Sequence, residues 1–468
     1  MQRGNQFKKY RGVLFSWNKR TGFLILHGKK RRGAMTQQNE PKKGMFRNFS
    51  RNFWTVILME FFERGSYYGM MSILSVYLVL DIANGGLGFS KESVGVIKSV
   101  IQPIIYALPI LSGAIADRFG YRKTLFFAFA CMSTGYFLTS MATSYVLVFG
   151  SLVVVAVGAG FFKPMISGTI ARETDKSTST VAFGIYYWSI NLGAFLFPLI
   201  LVPMLKSIDY SLVFIMAAVG TGWLLFLNFF VYKEPPKPES TKTIGQVLKG
   251  AVMVLKDFRF VLMIVIYAFF WVLYFQMFDT VLWYFVEYID MAPINDGVNS
   301  FLSIFVSNPN WAFDAEHVTV INAMTIIVLQ IFISNIVKNK KSLPTMIAGI
   351  GIGTIGMGIL AISTHPWVFI LGIVIFSIGE MTAHPKFISY VGLIAPDDKK
   401  ALYLGYSTLY GVIGSGIGGI LGANLYVHFV DNLHQPSTLW IIFSMIGVVT
   451  MVSLYLFNKF LAPKNVDA

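Results

Sequence analysis

Inside the apolar run 53–80 stands the stretch Glu60-Phe61-Phe62-Glu63-Arg64-Gly65-Ser66-Tyr67-Tyr68-Gly69. An apolar run of this length predicts a helix that spans a membrane. Each ionisable side chain at bilayer depth costs about 2.5–3.5 kcal/mol on insertion scales. Glu60 and Arg64 are four residues apart and share one helix face. Glu63 lies about 60° away around the helix, so all three side chains could face one cavity.

Two interpretations of this charged cluster compete. The three side chains could form an inert internal salt bridge that holds neighbouring helices together. Alternatively, one acid pairs with Arg64 and the other is left over as a proton carrier, because an unpaired carboxylate inside a helix bundle is costly when ionised. We favour the second interpretation, since a simple pair needs one acid and this stretch supplies two.

The composition of the whole chain is that of a membrane protein. Of its 468 residues 55% are hydrophobic and only 13% are charged, whereas soluble proteins carry about 25% charged residues. Apolar runs of about 20 residues predict an all-α polytopic fold. The single cysteine, Cys131, excludes a disulfide within one chain, and the six histidines lack metal-ligand spacing. We expect no metal, no cofactor and, without a nucleophile–base pair or phosphate-binding loop, no enzyme.

The positive charge is concentrated at the start of the chain. The net charge is +15, but residues 1–51 hold 14 Lys and Arg and one acid, Glu40. A basic excess confined to one tail does not predict nucleic acid as a partner. The tail fits three interpretations: a cytoplasmic segment attracted to anionic lipid, a targeting presequence, or an upstream extension with Met35 or Met45 as the real start. We favour the third.

Twelve apolar segments predict membrane spans, and they fall into two groups of six. Their approximate bounds are 53–81, 89–115, 123–141, 144–171, 179–205, 211–232, 258–289, 316–337, 343–363, 366–390, 401–428 and 437–460. A charged, proline-containing linker, 233–257, separates a first bundle, 52–232, from a second, 258–468. Two six-helix bundles around a site at the membrane midplane are the architecture of a rocking transporter.

The loops predict which way the protein faces. Lys and Arg collect in loops on the side of the N-terminus, as in 117–123 and 338–341, whereas the loops on the other side carry mostly acids. Cytoplasmic loops are enriched in Lys and Arg. We therefore expect both termini in the cytoplasm and the protein in the lipid bilayer of the cell membrane.

The loop after the second span contains a long signature, Gly113-Ala114-Ile115-Ala116-Asp117-Arg118-Phe119-Gly120-Tyr121-Arg122-Lys123. It resembles the major facilitator signature G-x-x-A-D-R-x-G-x-[KR]-[KR]. Small residues let two helices approach closely. Asp117 can pair with a helix end or with a base across the two halves, so we expect Asp117 and Arg118 to stabilise one state of a gate.

Two polar side chains lie inside later spans of the first half. Lys163 is about as deep in span 4 as Arg64 is in span 1, so it could reach the carboxylates there. The alternative is that its ammonium extends to the membrane surface. Asn191 lies near the middle of span 5 and could bind substrate or join two helices. The sequence does not separate these two roles.

The second half carries an acid near the middle of span 10. Glu380 is followed one turn later, on the same helix face, by His384. The two could relay a proton, or His384 could make an interhelical hydrogen bond, which we favour. Weaker candidates are Asn322 in span 8 and Asp279 in span 7, which could pair with Lys98 of span 2.

Together these residues resemble the motifs of the proton-coupled oligopeptide transporter family, a branch of the major facilitator superfamily, over about residues 50–460. The matching elements are Glu60-x-x-Glu63-Arg64 with Tyr67-Tyr68-Gly69, Lys163, Tyr187-x-x-Ile190-Asn191-x-Gly193, Asn322, and Glu380 before Pro385. The family motif has the form E-x-x-E-R…Y-Y-G in its first span. The resemblance implies the major facilitator fold, with small molecules and protons as partners.

The resemblance also implies how a zwitterionic substrate would bind. Arg64 and Lys163 would attract the C-terminal carboxylate of a peptide, and Glu380 would meet its amino group. Three further residues would line the site: Tyr68, Asn191 and Asn322. Three residues would couple proton entry to the substrate: Glu60, Glu63 and Lys163.

The chain departs from the family at two positions. Many members have a second arginine where Met71 stands, and an acid just before Gln276, where this chain has Phe275. Both partners of an outer salt bridge are then missing, so coupling is expected by another route, such as Asp279 with Lys98. We predict a divergent proton-coupled symporter that imports di- or tripeptides or related small zwitterions by alternating access. The alternative is a major facilitator transporter of another solute: nitrate, an amino acid, a sugar or a drug.

Overall fold

The computed structural model describes residues 14–17, 24–27, 49–175, 178–236, 243–396 and 399–463. The chain divides into two units, 1–48 and 49–468. In the first unit, strand β1 (Leu14–Trp17) pairs antiparallel with strand β2 (Leu24–His27). The sequence analysis does not predict this hairpin. The interpretations of the basic tail and of the start codon rest on residues outside the described part.

The second unit is built from helices. Its α-helices are α1 (Arg51–Val79), α2 (Lys91–Phe119), α3 (Tyr121–Met141), α4 (Tyr145–Glu173), α5 (Ser179–Leu196), α6 (Val202–Lys206), α7 (Ser211–Gly222), α8 (Leu224–Phe226), α9 (Ile244–Leu255), α10 (Phe258–Gln276), α11 (Thr280–Tyr288), α12 (Ala292–Leu302), α13 (Ala315–Val337), α14 (Ser342–Ile359), α15 (Pro366–Ile394), α16 (Lys400–Ser407), α17 (Leu409–Tyr426) and α18 (Pro436–Phe460). Stretches of π-helix extend three of them, at Phe197–Leu201, Leu227–Val231 and Val427–Asn432.

Twelve helical segments of the described chain are long enough to cross a membrane. Eleven of them are also apolar enough by composition. The twelfth is α1, whose 29 residues include the charged stretch 60–69. The bounds predicted from the sequence agree with these segments to within four residues at each end. Within the described part of the unit 49–468, the predicted all-α fold with twelve spans is confirmed.

Serine residues fix where several of the long helices begin. Ser50, Ser90 and Ser144 precede α1, α2 and α4, and each side-chain hydroxyl accepts a hydrogen bond from the backbone N–H three residues further on. Such N-caps satisfy donors that have no carbonyl partner in the first turn of a helix. These caps mark the starts of the three helices that carry Arg64, Lys98 and Lys163.

The helices pack mainly within each half of the chain. In the first half, α1 lies against α5 and α7, and α3 contacts α4 and α7. In the second half, α14 contacts α15 and α18, and α10 lies against α17. The two halves meet where α2 contacts α17 and where α5 contacts α13. This packing is what two six-helix bundles would produce, while the predicted bundle boundaries, 52–232 and 258–468, stay a prediction.

The predicted linker, 233–257, contains a helix of its own. α9 begins after Thr243, whose hydroxyl accepts from the N–H of Gln246 while the Gln246 side chain accepts from the N–H of Thr243. This reciprocal arrangement is a capping box. The helix contacts α2, α10 and α16. Residues 237–242 of the linker lie outside the described part.

The spans run between two faces of the unit. We call the face where α1 begins and α18 ends the terminal face, and the face where α1 ends and α2 begins the distal face. The turn between α2 and α3 lies at the terminal face. There Gly120 has a φ of 99°, which L side chains rarely adopt, and a Cβ would lie 3.1 Å from the Glu234 carboxylate.

Candidate functional site

A cavity of about 290 Å³, here called the central cavity, lies between the two halves of the chain. The first half contributes Glu60, Arg64, Tyr68, Tyr106, Lys163, Tyr186, Tyr187, Ile190, Asn191 and Ala194. The second half contributes Trp271, Tyr274, Phe278, Thr319, Asn322, Ala323, Ile326, Glu380, His384 and Tyr410. A hollow of similar volume, about 280 Å³, lies between α10 and α18, but its described lining residues are all uncharged. The central cavity is therefore the candidate site.

Arg64 is held by Glu63 rather than by Glu60. Arg64 donates from Nε to Glu63 Oε2 and from Nη2 to Glu63 Oε1, both at 2.5 Å, whereas its Nε lies 3.8 Å from Glu60 Oε1. Glu63 is fully buried and does not belong to the described lining of the central cavity. The expectation that all three charges face one cavity is met only by Glu60 and Arg64, because the rotation of the helix directs Glu63 behind the guanidinium.

The carboxylate left over is Glu60. Its Oε2 atom is buried and accepts no hydrogen bond from the described residues, although the residue lies at the wall of the central cavity. A buried carboxylate without a full set of hydrogen bonds is costly when ionised. The structure thus separates two acids that the sequence treats alike: Glu63 holds Arg64, and Glu60 is the acid with an unsatisfied oxygen.

Helix α5 approaches α1 very closely at Gly193. A Cβ at this position would lie 2.5 Å from the carbonyl oxygen of Phe61 and 2.9 Å from the backbone nitrogen of Gly65, so only glycine fits. Two residues earlier, Asn191 lines the central cavity and donates from Nδ2 to the carbonyl of Tyr187 on its own helix at 2.9 Å. Asn191 makes no hydrogen bond to another described helix, and its predicted role in contacting substrate stays a prediction.

Lys163 lines the central cavity from α4. Its Nζ lies 5.0 Å from the centre of the Tyr106 ring, within the range of a cation–π contact. No carboxylate of the described residues lies within 4.0 Å of this nitrogen. Lys163 therefore shares the cavity with Glu60 without forming an ion pair, and it extends into the cavity rather than to a membrane surface.

The opposite wall of the central cavity carries Glu380. Asn322 donates from Nδ2 to Glu380 Oε2 at 3.1 Å and to Ser377 Oγ at 2.9 Å. No cation of the described part of the chain lies within 4.0 Å of the Glu380 carboxylate. The cavity thus presents two cations on one wall and a carboxylate without a cationic partner on the other.

His384 lies one turn from Glu380 and makes no described hydrogen bond to it. Its Nδ1 lies 3.3 Å from Tyr267 Oη, and its ring lies 5.3 Å from that of Trp271 and 5.6 Å from that of Tyr410 between ring centres. Of the two predicted roles, this geometry matches the interhelical hydrogen bond. Among the described residues no group of three or more His, Cys, Asp or Glu side chains could hold a metal ion.

Aromatic rings form much of the remaining wall of the central cavity. Tyr68 follows Arg64 by one turn, and the guanidinium carbon lies 5.9 Å from the centre of its ring. The Tyr68 ring lies 6.2 Å from that of Phe278 in the other half. Trp271 and Tyr274 add rings from α10. The sequence analysis missed these α10 residues, because aromatic residues in an apolar span have the same pattern whether they face lipid or a cavity.

A buried ion pair lies between the central cavity and the distal face. Lys98 Nζ lies 2.8 Å from Asp279 Oδ1, and Ser75 Oγ donates to the same oxygen at 2.6 Å. Lys98 is 2% exposed and Asp279 is 6% exposed. The backbone leaves the helical conformation at Asp279, between α10 and α11, with φ −133° and ψ −93°. The predicted pairing is confirmed, and it joins the two halves of the chain.

Lys91 makes a second contact between the halves, at the distal face. Its Nζ lies 2.7 Å from Glu287 Oε1 and 2.7 Å from Asp431 Oδ1. Both acids belong to the second half and are about one-third exposed. The sequence analysis missed this pair. The signal for it was a lysine on a side of the protein where the loops carry mostly acids.

Lys206 makes a third contact of the same kind. Its Nζ lies 2.5 Å from Asp314 Oδ2 and 2.7 Å from Glu316 Oε2. Asp314 stands just before α13. Burial by itself would raise the pKa of this carboxyl group, but the Lys206 ammonium and a hydrogen bond from the Ala315 N–H outweigh burial and lower the pKa. The sequence analysis missed this pair as well.

Asp117 pairs within its own half of the chain. Its Oδ1 lies 2.8 Å from Arg172 Nη2 and accepts from Tyr121 Oη at 3.3 Å. The expectation of a base across the two halves is not met, because α4 runs beside α2 and brings Arg172 closer. Arg118 is exposed, and its guanidinium carbon lies 5.6 Å from the centre of the Phe119 ring.

Known proteins resemble this chain in sequence and in fold. The family model of the Major Facilitator Superfamily matches residues 57–418. The chain is 37% identical over 185 residues to the "Uncharacterized transporter YclF" of Bacillus subtilis, which covers 38% of this chain and 37% of that protein. It is 30% identical over 221 residues to the "Di-/tripeptide transporter" of Lactococcus lactis subsp. lactis, covering 44% of each protein. The matched stretch therefore spans less than half the length of these relatives.

Solved structures share the fold over most of the chain. A POT family transporter in complex with 5-aminolevulinic acid has a TM-score of 0.71 and 22% identity, and the match covers 89% of this chain and 100% of that one. A peptide transporter POT in complex with sulfate has a TM-score of 0.70 and 20% identity, and covers 87% of this chain and 94% of that one. At such identity the likeness shows the fold alone.

Proposed function

The chain belongs to the Major Facilitator Superfamily, and from that premise we propose that it is a proton-coupled symporter importing di- or tripeptides, or a related small zwitterion, by alternating access. The observation that carries the proposal is the charge arrangement of the central cavity. One wall holds Arg64 and Lys163, and the other holds Glu380. A solute with a carboxylate at one end and an ammonium at the other complements this arrangement, because each buried charge then gains a partner.

The carboxylate of the substrate would bind to Arg64 and Lys163. Arg64 uses Nε and one Nη2 donor on Glu63, which leaves its other N–H groups for a ligand. Lys163 has no acid within 4.0 Å in the described chain, so its ammonium is available as well. Charge-assisted hydrogen bonds are about twice as strong as neutral ones. Tyr68 and Asn191 would contact the substrate beside this end.

The amino group of the substrate would bind to Glu380. Asn322 holds one oxygen of this carboxylate and leaves the other for a ligand. The hydrogen bond between His384 and Tyr267 would support this wall rather than carry a proton. A volume of about 290 Å³ stands at the lower end of the range for ligand pockets, which suits a solute of dipeptide size.

The transported proton would bind to Glu60. Protonation removes a negative charge from beside Arg64 and Lys163, so both cations attract the substrate carboxylate more strongly. Glu63 would keep Arg64 in position throughout, because its two hydrogen bonds to the guanidinium do not involve Glu60. Proton and substrate would therefore favour each other's binding, which is the requirement for symport.

Two sets of charges would control access to the central cavity. Asp279 with Lys98 would close the distal face, in place of the outer salt bridge whose usual positions hold Met71 and Phe275 in this chain. Asp117 and Arg118 would act at the terminal face. Both assignments rest on position, since the first pair joins the halves and the second lies at the end of α2.

We assign the terminal face to the cytoplasm and the protein to the cell membrane. The Lys- and Arg-rich loops 117–123 and 338–341 lie at the terminal face, and such loops are retained in the cytoplasm. The distal pairs would then face the exterior. Protons driven inward would arrive from the distal side.

The relatives support a small zwitterionic cargo. The Lactococcus lactis protein is a di-/tripeptide transporter by name, and one structural neighbour was solved with 5-aminolevulinic acid. That ligand also has an amino group and a carboxylate, which favours a second candidate function for this chain: transport of a small amino-acid-like zwitterion. Both candidates use the same residues.

Uptake by the purified protein in liposomes tests the proposal. With an inward proton gradient, labelled dialanine or 5-aminolevulinic acid should accumulate, the lumen should acidify, and a protonophore should stop both. Glu380→Gln should reduce uptake by about 10-fold or more, since a lost charge-assisted hydrogen bond costs about 1.5–3 kcal/mol. Asp296→Asn, which changes an exposed acid of α12, is the matched control and should leave uptake unchanged. Uptake of nitrate, a sugar or a drug without any zwitterion would contradict the proposal.

A further inference from the structure

A second and much smaller cavity adjoins the central cavity on its distal side. Its volume is about 20 Å³, and we call it the small cavity. Arg64 and Lys163 line both cavities, whereas Tyr67, Met71 and Gln102 line only the small one. A space of this size holds about one water-sized particle, so a carboxylate or a sulfate does not fit.

The charges around the small cavity are unbalanced. Both cations line it, and none of its described lining residues is an acid. Glu63 holds one edge of the Arg64 guanidinium, and Glu60 lines only the central cavity. Lys163 has no carboxylate within 4.0 Å among the described residues. Of the two cations at the small cavity, Arg64 is paired with Glu63, and Lys163 is the cation that no acid of the described residues contacts within 4.0 Å.

A hydroxyl donor completes the wall. Tyr67 Oη lies 3.0 Å from Gln102 Nε2 and 3.1 Å from Gln102 Oε1. The Tyr67 hydroxyl can donate to Gln102 Oε1, but when the amide nitrogen donates to Tyr67 Oη instead, the hydroxyl proton is free to donate into the cavity. Met71 supplies an apolar surface, with its sulfur 3.6 Å from Gln102 Nε2. In the second arrangement Gln102 holds Tyr67 so that its hydroxyl offers a donor to the cavity.

We propose that the small cavity is a binding site for a monatomic anion such as chloride, held by Lys163, Arg64 and the Tyr67 hydroxyl. Water fits the volume but does not offset the charge of Lys163. A carboxylate or sulfate offsets the charge but exceeds the volume. The small cavity thus selects by size, while the neighbouring central cavity is large enough for polyatomic anions. This site does not depend on which solute the protein transports.

Thermal unfolding of the purified full-length protein, without substrate or gradient, tests the site. Sodium chloride is titrated against sodium gluconate at constant ionic strength. Chloride should raise Tm saturably by about 2–4 °C relative to gluconate, and bromide should do the same. Equal Tm values in chloride and gluconate at every concentration would overturn the proposal. The change in Tm has the same meaning whether or not the protein transports peptides.

Variants then separate the two cavities. Gln102→Leu and Tyr67→Phe each change only the small cavity and should weaken the apparent chloride affinity by about 10-fold, the effect of one lost hydrogen bond. Asn191→Leu changes only the central cavity and should leave chloride affinity unchanged. Glu60→Gln should strengthen it, because it removes a nearby negative charge. Unchanged chloride affinity in Tyr67→Phe, together with its loss in Asn191→Leu, would locate the anion in the central cavity and refute the proposal. Tyr67→Phe serves this purpose if Gln102→Leu does not fold.

Discussion

The distal and terminal faces of the helical unit use their charges in opposite ways. At the distal side, each ion pair of the described residues joins the two halves of the chain. Lys91, Lys98 and Lys206 of the first half contact acids of the second half at 2.5–2.8 Å. These contacts must break whenever the halves separate on that side.

The terminal face shows the other pattern. Among the described residues, its ion pair between Asp117 and Arg172 stays within the first half. Glu173 accepts hydrogen bonds from Ser50 and Asn52 of the same half. Glu234, at the start of the linker that follows the first half, accepts from the backbone at the start of α3. These contacts can persist when the halves separate at the terminal face.

The difference between the two faces shows which contacts determine the free-energy difference between two access states. Breaking a contact between the halves costs energy only in a state where they part, whereas a contact within one half contributes equally to both states. We therefore expect substitutions at the distal side to change the conformational equilibrium. Substitutions that break a contact within one half, such as Arg172→Gln at the terminal face, should change stability without changing that equilibrium.

The largest effect is expected from Lys98→Met. It leaves Asp279 buried without a cation, and loss of one partner from a buried pair costs about 3–5 kcal/mol. The distal face should open, because Asp279 regains water there. The double variant Lys98→Met with Asp279→Leu removes both charges and should restore most of the closed population.

Distances across the distal face measure this change. Spin labels at Asn84 and Asn432, both exposed at the distal face in different halves, can be placed in a Cys131→Ser background because the chain has one cysteine. Pulsed electron resonance should give a longer distance in Lys98→Met than in the unchanged protein. If the distance distribution stays the same, the distal pair does not hold this face closed.

A smaller opening is expected from Lys206→Gln. Glu316 is 1% exposed and would lose its cation, but Asp314 is half-exposed and can be hydrated, so we expect a cost of about 2–3 kcal/mol. The same pair of labels should show a partial shift to longer distances. Lys206→Arg keeps the charge and is the matched control. A shift in Lys206→Arg as large as in Lys206→Gln would show that charge is not the cause.

Arg172→Gln tests the terminal face. The Arg172 and Asp117 side chains are 23% and 28% exposed, so the pair contributes only about 0.5–1 kcal/mol. Tm should fall by about 1–2 °C, and the distal label distance should not change. Arg118→Gln, at an exposed side chain, is the control and should leave Tm unchanged. A longer distal distance in Arg172→Gln would break the comparison between the two faces.

The smallest effect is expected from Glu287→Gln. Lys91 keeps Asp431 at 2.7 Å, so the loss should be about 0.5 kcal/mol or less. The distal labels should report almost no change in the single variant. Glu287→Gln combined with Asp431→Asn should open the face measurably more than either single variant. Equal distances in all three variants would remove Lys91 from the set of contacts that hold the distal face closed.

Much of the site could be predicted, because the position of a residue within an apolar run indicates its depth in the membrane. Arg64, Lys163 and Glu380 each interrupt an apolar run, and a charge in such a run must face a cavity or a partner. The structure places all three at one cavity. The aromatic residues of α10 could not be identified in the same way, because an apolar ring is at low energy both in lipid and in a cavity wall.

The sequence by itself determined the twelve spans, their approximate bounds and the presence of buried charges, because hydrophobic length and local capping act within one segment. Tertiary structure alone decided which acid holds Arg64, that Asp117 pairs with a base of its own half, and that Lys91 and Lys206 join the halves. Such pairings depend on how closely two helices that are far apart in the chain approach each other in the fold. The local sequence pattern of each helix is the same whichever residue its side chains pair with.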